Sequence, residues 1–436
     1  MSEARTMKAT MDAPPRLDVD RLLDDRQTRI IVCCGAGGVG KTTTAAALGV
    51  RAAERGRKVV VLTIDPARRL AQSMGIDSLD NTPRKVSGVS GDGGELHAMM
   101  LDMKRTFDEI VEGHSDPERA QAILTNPFYQ SLSAGFAGTQ EYMAMEKLGQ
   151  LRARDDWDLI VVDTPPSRSA LDFLDAPGRL GSFLDGKFIR VLMAPAKVGG
   201  RAGMKFLNVG MSMMTGTLSK LMGASLLKDV QTFVAAMDTM FGGFRTRADA
   251  TFQLLQAPGT AFLVVSAPEP DALREAAYFV ERLAAERMPL AGLVLNRVHG
   301  SDAEQLSAER ALAAAENLEE GGIVDQESGK AGLRDSTETD TETDTDTAAR
   351  TEREIGADTV DAGADADVDV ITAGLLRLHA ERMQVIAREQ RTRDRFTSLH
   401  PEVAVAEVAA LPGDVHDLAG LRAIGERLAA GVPAGA

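Results

Sequence analysis

The segment from Ile30 to Leu48 joins an apolar run to a glycine-rich loop and then to a helix-forming run. The apolar run, Ile30 to Cys34, predicts a buried parallel strand, and the residues from Thr42 onward predict the start of a helix. Backbone N–H groups in such a strand-to-helix turn can surround phosphate groups, and the helix N-terminus adds a partial positive charge. The segment therefore predicts an α/β fold with a nucleotide-phosphate site at the end of its first strand.

The loop reads Gly35-Ala36-Gly37-Gly38-Val39-Gly40-Lys41-Thr42 and is followed by Thr43. Its glycines at 37, 38 and 40 are expected to adopt positive φ and let the backbone approach a phosphate closely. We predict that Lys41 reaches the β/γ-phosphates of ATP as a catalytic cation and that Thr42 binds Mg²⁺. The predicted nucleotide contacts in the loop are Gly37, Gly38, Val39, Gly40, Lys41, Thr42 and Thr43.

Two aspartates follow later apolar runs and complete the predicted site. Asp65 ends the second run and is followed by Pro66, which places a carboxylate where it could orient or deprotonate an attacking water. Asp163 ends the run Leu159 to Val162, and we predict that it belongs to the Mg²⁺ shell together with Thr42.

Apolar strands alternate with helical stretches along most of the chain, a pattern typical of a parallel sheet covered on both faces. Ligands of such sheets bind at the carboxyl ends of the strands, where the glycine-rich loop also lies. A long helix is predicted from Ile371 to Thr397. The predicted strands are Ile30 to Cys34, Lys58 to Ile64, Leu96 to Leu101, Leu159 to Val162, Ala261 to Ser266, Leu293 to Leu295 and Val403 to Val408.

The composition indicates a cytoplasmic protein without nucleic-acid or integral membrane contacts. The N-terminus is polar, and no apolar run approaches the length of a membrane span. Cys33 and Cys34 are adjacent within a predicted strand, which favours buried packing residues over a disulfide or metal site. The net charge is −15, and no basic region predicts binding to nucleic acid.

Most of that charge lies between Glu319 and Val370, where seventeen acidic residues accompany four basic ones. The segment has no aromatic residues and few large aliphatic ones, so we predict that it is disordered. A solvated tether, a docking site for a basic partner and a negative guard over a surface are the three interpretations left open.

The glycine-rich loop, Asp65-Pro66-Ala67 and Asp163-Thr164-Pro165-Pro166 together resemble the ArsA family of ATPases. This family includes the arsenite-pump ATPase and the targeting factor of the guided-entry pathway for tail-anchored proteins. The resemblance implies a three-layer P-loop NTPase fold with a mostly parallel central sheet and an inserted helical subdomain. It also implies that Asp65 activates water and that Asp163 lies in the second switch. Adenine contacts are implied for Asn296, Leu411, Pro412, Gly413 and Asp414.

With this resemblance, the chain is expected to contain an N-terminal extension and an ATPase core interrupted by the acidic segment. The helical subdomain is expected at about 103–155 and 177–258. The predicted divisions are 1–27 for the extension, 28–318 for the core with its subdomain, 319–370 for the acidic disordered insertion, and 371–430 for the C-terminal part of the core.

The chain departs from the family pattern in four places. Ala36 stands where the family carries a lysine that reaches across a dimer, and Ser167-Arg168-Ser169-Ala170 replaces the Thr-Gly-His-Thr of the targeting factor. The Cys-x-x-Cys that binds zinc between the subunits of that factor is absent. No cysteine triad is present to bind arsenite. Because Ala36 removes the trans lysine from both sites of a homodimer, we predict a heterodimer with a paralogue that keeps the lysine.

Eight of the nineteen methionines lie between Met193 and Phe244. Methionine is abundant on surfaces that bind varied hydrophobic partners, but it also fills helix interfaces. In the family this region belongs to the helical subdomain that holds a hydrophobic client helix. The region is therefore either a client groove or ordinary core.

The leading hypothesis is a Mg-ATP-driven conformational switch that closes and reopens a dimer and acts on a partner or client protein. One alternative is a chaperone in which the nucleotide is a structural latch with little turnover. Another is a positioning ATPase of the MinD/ParA type. That type needs a basic DNA-binding face or an amphipathic membrane helix. The apolar pattern of Leu418 to Leu428 is too modest to indicate a membrane helix, so this alternative ranks third.

Overall fold

A computed structural model of the protein describes residues 15–64, 69–89, 93–133, 139–165, 246–328 and 361–430. The chain divides into two compact units. The first, Met1–Val298 with Thr392–Ala434, contains the central sheet. The second, His299–Arg391, contains helical residues on both sides of the acidic segment.

The central sheet has eight strands. They are β1 (Ile30–Cys34), β2 (Lys58–Thr63), β3 (Arg84–Lys85), β4 (Glu95–Met100), β5 (Leu159–Asp163), β6 (Thr260–Ser266), β7 (Leu290–Val298) and β8 (Val405–Ala409). Their order across the sheet is β3-β4-β2-β5-β1-β6-β7-β8. Every neighbouring pair is parallel except β3 with β4, so the predicted α/β fold with a mostly parallel central sheet is confirmed.

All seven predicted strands are present, with small shifts of their ends. The sequence missed β3 because its two residues, Arg84 and Lys85, are exposed and charged and show no apolar pattern. It pairs antiparallel with β4 at the edge of the sheet. Charged residues on a short edge strand discourage pairing with other chains.

Helices cover both faces of the sheet and form most of the connections. They are α1 (Val19–Asp24), α2 (Lys41–Glu54), α3 (Arg69–Ser73), α4 (Met103–His114), α5 (Pro117–Leu124), α6 (Pro127–Ser133), α7 (Thr139–Arg154), α8 (Pro270–Ala285), α9 (Ala308–Ser328), α10 (Asp361–Leu399) and α11 (Leu418–Ala430). Residues 246–256 are also helical. Local sequence fixes several starts: Asp102 and Asp116 accept hydrogen bonds from backbone N–H groups in the first turns of α4 and α5.

Two apolar clusters lie on opposite faces of the sheet, as the pleat of β1 shows. Ile30 and Val32 belong to one cluster, and Ile31 and Cys33 belong to the other. Successive strand residues point to opposite faces, so a strand buried on both faces is apolar throughout. Helix α2 packs closely against β2 at Gly49, since a Cβ added there would lie only 2.5 Å from a methyl group of Val61.

The structure differs from the expected division of the chain at three boundaries. Residues 15–27, assigned to an N-terminal extension, pack into the first unit: Val19 and Leu23 of α1 are fully buried. Helices α9 and α10 extend into both ends of the 319–370 segment that was predicted to be disordered. Alanine has the highest helix propensity, and it recurs through the start of α10 despite the aspartates there. Residues 329–360 lie outside the described residues, and disorder there stays a prediction.

Arg57 holds α1 against the sheet. Its guanidinium donates to the carbonyl oxygens of Leu23 and Asp158 at 2.9 and 2.6 Å, and also to that of Thr28. Burial lowers the pKa of Arg57 to about 10, so it stays charged at neutral pH. The side chain therefore ties α1, the start of β1 and the start of β5 to one buried cation.

Candidate nucleotide site

The glycine-rich loop connects the end of β1 to the start of α2 and depends on three positive φ angles. These occur at Gly35 (148°), Gly38 (77°) and Gly40 (97°). Gly37 is not among them, so the expected positive φ at 37 was wrong and the position that needs it is Gly35. A Cβ at Gly35 would lie 2.0 Å from the carbonyl oxygen of Val265, because the loop begins directly against β6. The first glycine thus serves packing, whereas Gly38 has no atom within 4 Å of an added Cβ.

Lys41 is the first residue of α2, and its side chain turns back over the loop. Nζ donates a hydrogen bond to the carbonyl oxygen of Ala36 at 2.8 Å, and the residue is only 7% exposed. Gly37 and Gly38 are exposed at the outer edge of the same loop. The structure therefore combines a cation, a helix N-terminus and an accessible backbone in one turn, which is the arrangement that binds phosphate.

Asp163 lies at the carboxyl end of β5, fully buried between two threonines. Its Oδ2 accepts hydrogen bonds from the hydroxyls of Thr42 at 2.7 Å and Thr63 at 2.9 Å. The register brings these groups together, because Asp163 pairs with Cys33 of β1 on one side and with Thr63 of β2 on the other. A hydroxyl and a carboxylate are the hard oxygen ligands that Mg²⁺ prefers, so these residues fit the predicted metal.

The two cysteines beside this site are packing residues, as predicted. Both are buried free thiols. Burial, together with the neighbouring Asp163 carboxylate, raises the pKa of Cys33 well above its ordinary value. Burial also raises the pKa of Cys34 to about 12. Both thiols therefore stay protonated and apolar in character. Among the described residues, no cluster of three or more His, Cys, Asp or Glu side chains is arranged to hold a metal ion.

Asn296 lies near the carboxyl end of β7 and contacts the glycine-rich loop directly. Its Nδ2 donates to the carbonyl oxygen of Val39 at 2.8 Å, and the residue is 8% exposed. A Cβ at Gly40 would lie 2.2 Å from this nitrogen, so the contact requires glycine there. One amide N–H of Asn296 thus anchors the loop, and the predicted contact with adenine stays a prediction for the remaining amide atoms.

The second predicted base-contacting segment, Leu411 to Asp414, follows β8. Val408 of β8 pairs with Asn296, so the segment begins at the same edge of the sheet. Leu411 is partly buried against the apolar cluster that contains the loop residues, whereas Pro412, Gly413 and Asp414 are exposed. The sheet thus brings the glycine-rich loop, Asn296 and this segment to one edge.

Asp65 lies outside the described residues, as do Ser167 to Ala170 and the whole methionine-rich stretch from Met193 to Phe244. Ile64, the residue before Asp65, is described, and its carbonyl oxygen accepts a hydrogen bond from Nε2 of Gln140 at 2.9 Å. The backbone N–H of Ile64 donates to the carbonyl oxygen of Asp163 at 3.0 Å. Sequence reasoning missed Gln140, since a lone glutamine near the start of a helix carries no motif.

Helix α7, which carries Gln140, is held by buried ion pairs. Lys147 lies 2.8 Å from Glu109 of α4, and Glu146 accepts hydrogen bonds from Nε of Arg247 at 2.9 and 3.0 Å. Glu146 and Lys147 are each about 5% exposed or less. Three helical segments, α4, α7 and 246–256, are therefore linked to one another, and Gln140 links α7 to the strand end before Asp65.

Position 36, where the family carries its trans lysine, is filled by a buried methyl group. Ala36 is 7% exposed and belongs to the same apolar cluster as Val39. Its carbonyl oxygen is the acceptor for Lys41. The side chain at this position is thus only a methyl group, without a cation.

Comparison with known proteins identifies the family of the chain. Residues 28–320 match the family model described as anion-transporting ATPase, ArsA_ATPase. The ATPase GET3 of Podospora anserina is 27% identical over 298 residues, which cover 67% of this chain and 80% of that protein. The GET3 of Malassezia globosa is 32% identical over 167 residues, 38% of this chain and 47% of that protein. The get3 of Neurospora crassa is 26% identical over 298 residues, again 67% and 80%.

None of the described helices is both long and apolar enough to cross a membrane. The family model covers well over half of the chain, and the matched residues include the glycine-rich loop, Asp163 and Asn296. The resemblance read from the sequence motifs is thereby confirmed. The chain belongs to the ArsA family of anion-transporting ATPases and is an ATPase.

Proposed function

We propose that the chain is a cytoplasmic, Mg²⁺-dependent ATPase that works as a dimeric, nucleotide-driven switch on a partner or client protein. The observation that carries this proposal is the hydrogen bond between Thr42 and Asp163, which joins the loop bearing Lys41 to the second switch strand. A nucleotide that changes this contact changes both elements at once.

Each residue of the proposed site has a separate task. Lys41 would exchange its hydrogen bond with Ala36 for the β/γ-phosphates, and Thr42 with Asp163 would provide oxygen ligands for Mg²⁺. When bound, Mg²⁺ neutralises charge that develops on the phosphate oxygens. Asp65 orients the attacking water.

The contacts of α7 support the coupling between hydrolysis and the helical region. Gln140 binds the carbonyl group directly before Asp65, and Glu146 and Lys147 hold the neighbouring helices. A shift at the end of β2 would thereby be passed to several helices through partly buried hydrogen bonds and ion pairs, which favours a switch over a static nucleotide latch. We propose that these helices act on a hydrophobic client, as the methionine-rich stretch of the sequence indicates.

We further propose that the active form is a heterodimer with a paralogue that carries lysine at the position of Ala36. By analogy with an arginine finger, a trans cation of this kind is worth about 10³–10⁵ in rate. The buried methyl group of Ala36 provides no such cation. The partner's lysine would complete the site on this chain.

The experiment measures phosphate release by the purified chain alone, with the paralogue, and after Ala36→Lys. The matched control is Ala36→Met, which is similar in length but uncharged. We expect low turnover alone, and stimulation by the paralogue and by Ala36→Lys but not by Ala36→Met. Full activity of the chain alone, unchanged by Ala36→Lys in a variant that melts normally, contradicts the heterodimer. Unchanged turnover in Lys41→Ala and Asp65→Asn contradicts the assigned site itself.

The same measurements test the first of the two alternative functions, and the burial of α11 bears on the second. A nucleotide-latched chaperone binds ATP tightly but shows negligible turnover under every one of these conditions. A positioning ATPase of the MinD/ParA type needs a basic DNA-binding face or an amphipathic membrane helix. The sequence predicts no basic face, and α11 buries its apolar residues Leu421, Ile424 and Leu428 in the core. This burial favours the switch acting on a client.

A further inference from the structure

An exposed apolar stripe runs along the first part of α10 in the second unit. Of the seven large apolar side chains exposed in the described chain, five lie between Val368 and Leu378. Four of them, Val368, Ile371, Leu375 and Leu378, are 58–63% exposed. Soluble proteins rarely leave such contiguous apolar surface uncovered unless it binds something.

The spacing of the stripe identifies the kind of surface that fits it. Positions 368, 371, 375 and 378 repeat at intervals of three, four and three, which is the a/d pattern of a helix that packs against another helix. Part of the opposite side of α10 is covered: Ala373 and Ala380 are buried, and Arg377 binds Glu319 of α9 at 2.6 Å, whereas Val370 is exposed outside the stripe. The stripe therefore faces outward and is complementary to a second helix with the same spacing.

The negative charge around the stripe indicates which kind of helix would bind there. Exposed Asp367 and partly exposed Asp369 flank Val368, and Asp361 and Asp365 lie before them in the first turns of α10. A second copy of α10 would bring another segment of the same negative charge to this helix. Residues 329–360 contain only Leu333, Ile355 and Val360 as large aliphatic residues, without the a/d spacing, so they match the stripe poorly.

We propose that this stripe is a docking site for an amphipathic helix of a partner protein, with apolar a/d positions flanked by lysine or arginine. The acidic residues attract the basic flanks, and the four aliphatic side chains bury the apolar face. The stripe belongs to the second unit, whereas the sheet and its predicted nucleotide-binding residues belong to the first. The acidic residues at the start of α10 agree with the second of the interpretations left open by the sequence, docking of a basic partner.

The test uses the full chain and two synthetic helical peptides of about three heptads, the length at which a/d packing becomes specific. Both carry leucine at a and d; one has lysine at e and g, and the other has glutamate there. Like charges at e and g keep each peptide from pairing with itself. Binding is measured by fluorescence anisotropy at low and high salt. We expect the lysine peptide to bind at least about tenfold more tightly than the glutamate peptide, with an advantage that shrinks at high salt.

Two variants distinguish the stripe from apolar surface in general. Ile371→Gln with Leu375→Gln should weaken binding of the lysine peptide at least about tenfold, because the a/d contacts are lost. Leu399→Gln, which removes a side chain 66% exposed at the end of the same helix, should leave binding unchanged. Both variants should keep the melting temperature and ATP turnover of the unmodified chain.

Equal binding of the two peptides, or binding that survives the double substitution, overturns the proposal. Light scattering that shows a dimer of the chain turning into a monomer in the double variant assigns the stripe to a second copy and also overturns it. Flotation with phosphatidylcholine vesicles that depends on the same two residues assigns it to lipid, with the same consequence.

Discussion

The hydroxyl of Thr42 donates a 2.7 Å hydrogen bond to the buried carboxylate of Asp163. The two residues are 121 positions apart in the chain and meet because β1 and β5 are adjacent parallel strands that end together. The contact thus joins the first turn of α2 to the last residue of β5. Asp163 is fully buried in the core, so its carboxylate is held opposite the first turn of α2.

Removing this hydroxyl should impair metal-dependent hydrolysis. We expect Thr42→Ala to lower turnover about 10–100-fold and to raise the Mg²⁺ concentration needed for half-maximal activity, because one oxygen ligand is lost. Thr42→Ser keeps the hydroxyl and should retain most of the activity. Phosphate release measured over a Mg²⁺ titration decides the matter, and equal Mg²⁺ dependence in all three proteins would count against the assignment.

Residues at strand ends were the ones that the sequence could place. Lys41, Thr42 and Asp163 each follow a continuous apolar run, and parallel strands bring such positions to one edge whatever the intervening chain does. Gln140 could not be found this way, because its role depends on where a helix starts relative to a strand distant in sequence. The requirement for glycine at position 35 was missed for a similar reason. A Cβ there would collide with the carbonyl oxygen of Val265, and only the fold shows that β6 lies against the loop.

Gly35 and Gly38 should respond differently to alanine. At Gly38 the added Cβ meets no atom within 4 Å, so only the positive φ opposes it, at a cost of about 1–2 kcal/mol. At Gly35 the Cβ would lie 2.0 Å from a carbonyl oxygen in addition, so the backbone must move. We expect Gly35→Ala to lower the free energy of unfolding clearly more than Gly38→Ala, as measured by urea denaturation. A smaller loss for Gly35→Ala would contradict the packing described at β6.

Asn296→Ala should destabilise the glycine-rich loop and show whether Asn296 also contacts the adenine base. Loss of the buried hydrogen bond to Val39 leaves that carbonyl oxygen without this donor and should cost about 1–3 kcal/mol of stability. If the remaining amide atoms also contact adenine, the preference for ATP over GTP should fall in competition binding. A variant that loses stability but keeps the wild-type ATP to GTP ratio would reduce Asn296 to a loop anchor.

Gln140 is expected to act as a positioning residue for the segment that begins at Asp65. Gln140→Leu removes the donor to Ile64 and should lower kcat about tenfold, the value of one hydrogen bond, with little change in KM. Gln256→Leu is the matched control, since Gln256 makes a similar bond to the carbonyl oxygen of Glu286 at 2.7 Å, away from the site. A similar loss of kcat in both variants, or a rise in KM alone, would show that Gln140 has no specific role.

The single tryptophan should report the protonation of His97. The two rings lie 4.9 Å apart, and burial lowers the pKa of His97 below its ordinary value of 6.5. Between the lowered pKa of His97 in the folded chain and 6.5 in the unfolded chain, the unfolded chain therefore binds more protons. The free energy of unfolding should thus decrease as the pH falls below 6.5, by at most about 1.4 kcal/mol per pH unit. Trp157 fluorescence should change over the same range, and His97→Gln should abolish that change and flatten the stability curve. A difference curve between the two proteins that is flat, or that slopes the other way, would show that His97 titrates no lower in the folded chain than in the unfolded one.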